Sequence, residues 1–146
     1  MLDRGGRVVT VGGGVLRLQT PGNGHVVDLT EGVARIVAAA EQDRGLVTVF
    51  AVGSTVAVTT MEYEPGGVSD LQSLLDRLIP AEGDYAHNRL NHDSNSHAHL
   101  RAAVIGPSET IPIVDGRLAL GTWQQIVLID FDDRPRERTI VVHVLS

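Results

Sequence analysis

The chain has 146 residues, of which 42% are hydrophobic and 21% charged, enough for one domain with a buried core and a soluble surface. Its net charge of −6 argues against a general nucleic-acid or anionic-membrane binder, because both need a basic surface. With no cysteine, it can form no disulfide, thiolate zinc site or cysteine nucleophile.

No apolar run reaches the roughly 18 residues of a membrane span. The N-terminus lacks the apolar centre of a signal peptide, so a cytoplasmic location is expected. Aromatic residues make up only 3%, which leaves Val, Leu, Ile and Ala to build the core.

Arg7–Val11 and Val15–Gln19 read as short strands around Gly12-Gly13-Gly14, predicting a loose hairpin. A phosphate-binding reading of those glycines fails, since the spacing is wrong and no Lys-Ser or Lys-Thr follows. His25–Asp28 is the next short strand. Thr30 then has the chemistry of a helix N-cap, and Val33, Ile36, Val37 and Ala40 recur at helical spacing. Gly45 stands where a C-terminal cap belongs.

Leu46–Ala51 and Val56–Glu62 are rich in β-branched residues and predict strands. Glu64-Pro65-Gly66-Gly67 predicts a turn. A helix over 69–79 follows, with Leu71, Leu74, Leu75 and Leu78 on one stripe and Pro80 ending it. From Ala81 to Ser96 the periodicity vanishes, and long loops of this kind are often functional or disordered. Thr110–Val114, an Asp115-Gly116 hairpin turn, Arg117–Leu120, Gln124–Phe131 and Thr139–Val144 complete the chain. Strands mixed with two or three helices, without βαβ alternation, predict a single α+β domain with a mainly antiparallel or mixed sheet.

The segment 87–101, HNRLNHDSNSHAHLR, holds four of the six histidines: His87, His92, His97 and His99. Imidazole is a common metal ligand, and these four are the candidate ligands of a divalent ion. Histidine suits zinc or another transition ion, whereas magnesium prefers oxygen. In a strand, His97 and His99 would face the same side; on a helix the same spacing would separate them. Asp93 could ligate or orient an imidazole. The competing reading is acid–base chemistry, and polar loops also gather such residues simply because they tolerate turns and water.

Glu62 ends a predicted strand and could present a carboxylate into a cleft, although a lone glutamate there is more often a solvated surface residue. Arg134, Arg136 and Arg138 alternate, so in a strand they would line one face and could hold a phosphate; Asp132, Asp133 and Glu137 could equally balance them. Ser108 lacks the G-x-S-x-G elbow of a nucleophile. Trp123 is expected to anchor a core or an interface.

The run SETIPIVDGRLALGTWQQIVL, Ser108 to Leu128, resembles the signature of the YjbQ-like family of uncharacterised proteins. The resemblance extends through HAHLRAAVIGPS and GSTVAVTTMEYEPG, covering residues 25–146 and leaving 1–24 as an N-terminal extension. It implies an α+β fold, assembly as a homotrimer, and a weak thiamine-phosphate synthase activity. That reaction joins an aminopyrimidine diphosphate to a thiazole phosphate, with a divalent cation. Glu62, His87, Asp93 and His99 match the family's persistent polar positions and are the implied catalytic residues. Many relatives carry histidine where this chain has Gly53. A metal-dependent hydrolase and a non-catalytic metal or small-ligand binding protein are the alternatives.

Overall fold

The computed structural model describes residues 10–146, so of the strand expected over Arg7–Val11 only the last two positions fall among them. In chain order the elements are β1 (Thr10–Thr20), β2 (His25–Asp28), α1 (Thr30–Ala40), β3 (Arg44–Val52), β4 (Val56–Met61) and α2 (Pro65–Leu78). Then come α3 (Ala86–Asn91), α4 (Ser96–Ile105), β5 (Ser108–Val114), β6 (Arg117–Leu118), β7 (Gln125–Asp130) and β8 (Arg136–Leu145). The strands form a five-stranded sheet, β1-β8-β3-β5-β6, and a three-stranded sheet, β2-β7-β4. Each pairing is antiparallel, which makes the chain a single α+β domain as expected.

Alternation along the strands decides what is buried. Val47, Val49, Ile111, Ile113, Ile140 and Val142 point from the larger sheet to meet Val56, Val58, Ile126 and Leu128 of the smaller one, with Val33 and Val37 of α1. The opposite face of the smaller sheet packs Ala57, Val127 and Ile129 on Leu75 of α2 and Ala98 and Ala102 of α4. Strand β7 is therefore covered on both faces, so its burial is continuous and not alternating. The outer face of the larger sheet has no such cover among the described residues, and Val15, Leu46, Phe50, Val52 and Val114 stand exposed on it.

Several local expectations are corrected. Gly12-Gly13-Gly14 is no turn, because β1 runs straight through it, paired with β8. The glycines let α1 approach: a Cβ at Gly12 would lie 2.7 Å from Ala40 Cβ, and one at Gly14 would lie 3.0 Å from Ile36 Cδ1. Thr30 does not cap α1. Its Oγ1 accepts the Ile126 N–H at 2.9 Å, while Asp28 Oδ1 accepts the Thr30 N–H at 2.9 Å. The helix ends on Glu41 in left-handed conformation (φ 52°), and Gly45 belongs to β3.

Helix α2 starts at Pro65, earlier than periodicity implied. The Glu64 carboxylate accepts the N–H groups of Gly66 and Gly67, and proline loses nothing at a first helical position. The expected loop over 81–96 contains α3 and the start of α4, giving four helices among the described residues in place of two or three. The Asp115-Gly116 hairpin is present, with both residues at positive φ (50° and 76°) as a tight turn between these strands requires.

A candidate acid–base site between two helices

Helix α3 stops at His92, whose left-handed φ of 51° turns the chain back toward α4. The turn is held by Asp93 Oδ1 accepting the Ser94 N–H at 2.8 Å and Asn88 Oδ1 accepting the Ser96 N–H at 3.0 Å. This reversal brings His87 of α3 against His99 of α4, ring centroids 4.7 Å apart and planes tilted by 59°.

His87 is oriented from both sides. Its Nε2 lies 3.1 Å from Oδ1 of the buried Asn95, and its Nδ1 lies 3.4 Å from Nδ2 of Asn91. A carboxamide oxygen only accepts, so this arrangement puts the proton on Nε2 and leaves the Nδ1 lone pair facing the Asn91 amide. Asp93 Oδ2 is 3.9 Å from Nε2, placed to stabilise an imidazolium. The His99 ring nitrogens have no hydrogen-bond partner among the described residues. His99 lines a cavity of about 290 Å³ with Gly53, Ser54, Val56, Ala102 and Pro107.

The other two histidines go elsewhere. Because His97 and His99 are two apart on a helix, they diverge by about 200° and do not share a side. His97 is buried, and its Nδ1 has no hydrogen-bond partner among the described residues. Burial and then the Arg101 guanidinium hold its pKa below 6.5, against an opposing pull from Asp133 and Asp132. His92 is exposed. Among the described residues no three His, Asp or Glu side chains converge to hold a metal ion. With His87 engaged by two carboxamides, this arrangement does not fit a preformed metal chelate.

The arginines do not share one open strand face, since Arg134 precedes β8. Arg138 is buried, with Nε and Nη2 each 2.7 Å from the Asp130 carboxylate and Nη2 2.7 Å from Thr55 Oγ1. Arg136 Nε is 2.9 Å from Asp132 Oδ2. Burial alone would raise the Asp132 pKa, but hydrogen bonds from Thr55, Asp133 and Arg136 outweigh it and hold the carboxyl below the usual range. Arg134 is exposed, 3.8 Å from Asp93 and 3.6 Å from Asp133. Glu137 instead accepts from Gln19 Nε2 at 3.0 Å.

His87, Asp93 and His99 are thus brought together, and Glu62 is not. Val56 lines the His99 cavity at the start of β4, and Glu62 follows its last residue, roughly 20 Å along the strand. Ser108 is exposed in β5, opposite Phe50. Trp123 is 72% exposed and so is no core anchor. Asn95 as the group that orients His87 carries no signal in the sequence, because its partner is set by the α3–α4 reversal; Gly53 stands out there only as the place where many relatives carry histidine, and Ser54 not at all.

The chain matches the description "UPF0047 protein YjbQ-like" over residues 14–146. A UPF0047 protein of Archaeoglobus fulgidus is 39% identical over 130 residues, covering 89% of this chain and 98% of that one. The crystal structure of a hypothetical protein of Aeropyrum pernix is 35% identical with a TM-score of 0.85, over 92% of this chain and 98% of that one. A protein of unknown function from Sulfolobus solfataricus is 29% identical with a TM-score of 0.83, over 92% and 97%. Such agreement in sequence and backbone along nearly the whole length has one meaning: the chain belongs to the YjbQ-like UPF0047 family.

Proposed function

We propose that the chain is an acid–base enzyme acting on a small phosphorylated substrate, with His99 exchanging the proton and His87 supporting it. The observation that carries this reading is the histidine pair. One imidazole is locked by Asn95 and Asn91, and the other, with no hydrogen-bond partner among the described residues, belongs to a residue that lines a cavity of about 290 Å³. Histidine is the usual residue for proton transfer near neutral pH, and a positioned one contributes roughly 10²–10⁴-fold. Asp93 stabilises positive charge reaching His87.

The reaction class follows the family resemblance: a thiamine-phosphate-synthase-like transfer from an aminopyrimidine diphosphate to a thiazole phosphate. An imidazolium at His99 gives its proton to the departing pyrophosphate, while positioning and electrostatics do the rest. The working form is a homotrimer that covers the outer face of the five-stranded sheet, where Val15, Phe50 and Val52 would otherwise stay in water.

The test is rescue of a thiamine-requiring strain, together with pyrophosphate release by the purified protein. Rescue and release that disappear in His99→Ala support the reading. Rescue undiminished in His99→Ala would sink it.

A further inference from the structure

We propose that Gly53 opens an oxyanion subsite, for a carboxylate or phosphate of the ligand, built from Arg138 Nη1 and the Ser54 hydroxyl. It deepens the acid–base reading and rests on the same cavity being the substrate site. Arg138 is buried and cannot swing, because Nε and Nη2 are both committed to Asp130 and Nη2 also to Thr55. Nη1 makes no hydrogen bond among the described residues. It is not sealed off either: His97 Nδ1 is the one partnerless side-chain polar atom among them that solvent cannot reach.

Nη1 lies directly under Gly53. A Cβ at that position would stand 2.8 Å from Nη1 and 3.0 Å from Val56 Cγ1. Any side chain would therefore cap the donor, and glycine leaves it within reach. Gly53, Ser54 and Val56 line the cavity that His99 borders. Ser54 is exposed, and its hydroxyl has no partner among the described residues. The Ser54 hydroxyl thus belongs to a residue of the cavity wall, and the fixed guanidinium stands behind that wall at Gly53, where only the missing side chain leaves room for a ligand oxygen to reach it.

The charges around this donor narrow the ligand. Asp130 and Asp132 balance Arg138 and Arg136, so the cluster adds little net positive field. The pull on a ligand oxygen comes from directed donors held in advance, which lose little freedom on binding. That suits a carboxylate or a phosphate monoester, such as the phosphate of the thiazole substrate; the more highly charged diphosphate that departs toward His99 takes no part in this subsite.

The experiment is an NMR titration of the ¹⁵N-labelled protein with inorganic phosphate and, separately, acetate. It follows the Gly53 and Ser54 amides and the Arg138 side-chain N–H signals. Saturable shifts with at least one anion are expected. Binding should weaken by roughly tenfold or more in Gly53→Ala and in Ser54→Ala. It should be unchanged in Val104→Ala, an exposed position on α4 outside the cavity. If Gly53→Ala does not fold, Ser54→Ala decides. Absence of saturable shifts with both anions, or equal binding by the folded variants, would overturn the subsite. Anion binding without turnover on any substrate would defeat the acid–base reading and leave the subsite standing.

Discussion

Arg138 of β8 grips Asp130 of β7 through two 2.7 Å hydrogen bonds, an ion pair that ties the five-stranded sheet to the three-stranded one. The Asp130 carboxyl is fully buried and also accepts from the Thr20 hydroxyl of β1. Replacing one partner strands a charge or polar group in the interior. Asp130→Asn is expected to cost about 3–5 kcal/mol, whereas a packed apolar pair such as Asp130→Leu with Arg138→Met costs much less. Urea denaturation of the single and double variants measures both.

Asn95 acts on chemistry only through His87, so its loss should move a property that packing alone would not. In Asn95→Ala the Nε2–H tautomer of His87 should give way to a mixture, read from ¹⁵N shifts of the ring. Turnover should fall in kcat more than in KM. An unchanged tautomer would remove Asn95 from the site.

His97 predicts an acid limit to stability. Its folded-state pKa lies below 6.5, so the native protein takes up that proton less readily than the unfolded chain. Its contribution is complete above pH 6.5 and is lost as pH falls from there through the lowered native value. His97→Phe should flatten the dependence of unfolding free energy on pH in that window. The same slope in both proteins would contradict this.

Phe50 is 42% exposed and pairs with Val141 across the outer sheet face, in a row that continues to Val15. If the proposed trimer forms through this face, Phe50→Glu should shift sedimentation from it toward a monomer while the circular dichroism stays native. A monomer already present in the unmodified protein at micromolar concentration would refute the assembly.

Gly12 has no room for a side chain against Ala40, so Gly12→Val should overpack the contact between α1 and β1. A loss of about 1–3 kcal/mol is expected in thermal or urea unfolding. Gly116→Ala is a contrasting case: nothing stands within 4 Å of its would-be Cβ, and only its positive φ of 76° opposes a side chain.

Local chemistry in the sequence by itself determined much of this protein. Val33, Ile36 and Val37 mark α1, and Leu71 and Leu75 mark α2, since one helical face must be apolar to pack; Leu74 and Leu78 of the same expected stripe stay exposed. Asp115-Gly116 fixed its hairpin because few residues accept two positive φ angles in succession. Helix α4 was hidden: it buries Ser96, His97 and Arg101 beside Ala98 and Ala102, which erases the apolar stripe that announces a helix. The triple glycine reads locally as a turn, and only the approach of α1 to a strand paired with β8 shows why side chains are excluded there.

The site divides the same way. The histidines and Asp93 stand out by composition, but which imidazoles meet depends on a helix reversal at His92 and on 100° steps along α4. Tertiary structure alone turned His97 inward, set Arg138 on Asp130, left Glu62 at the far end of β4, and laid Gly53 over a guanidinium. Each of these depends on partners distant in the chain, and residue type and spacing carry no record of such partners.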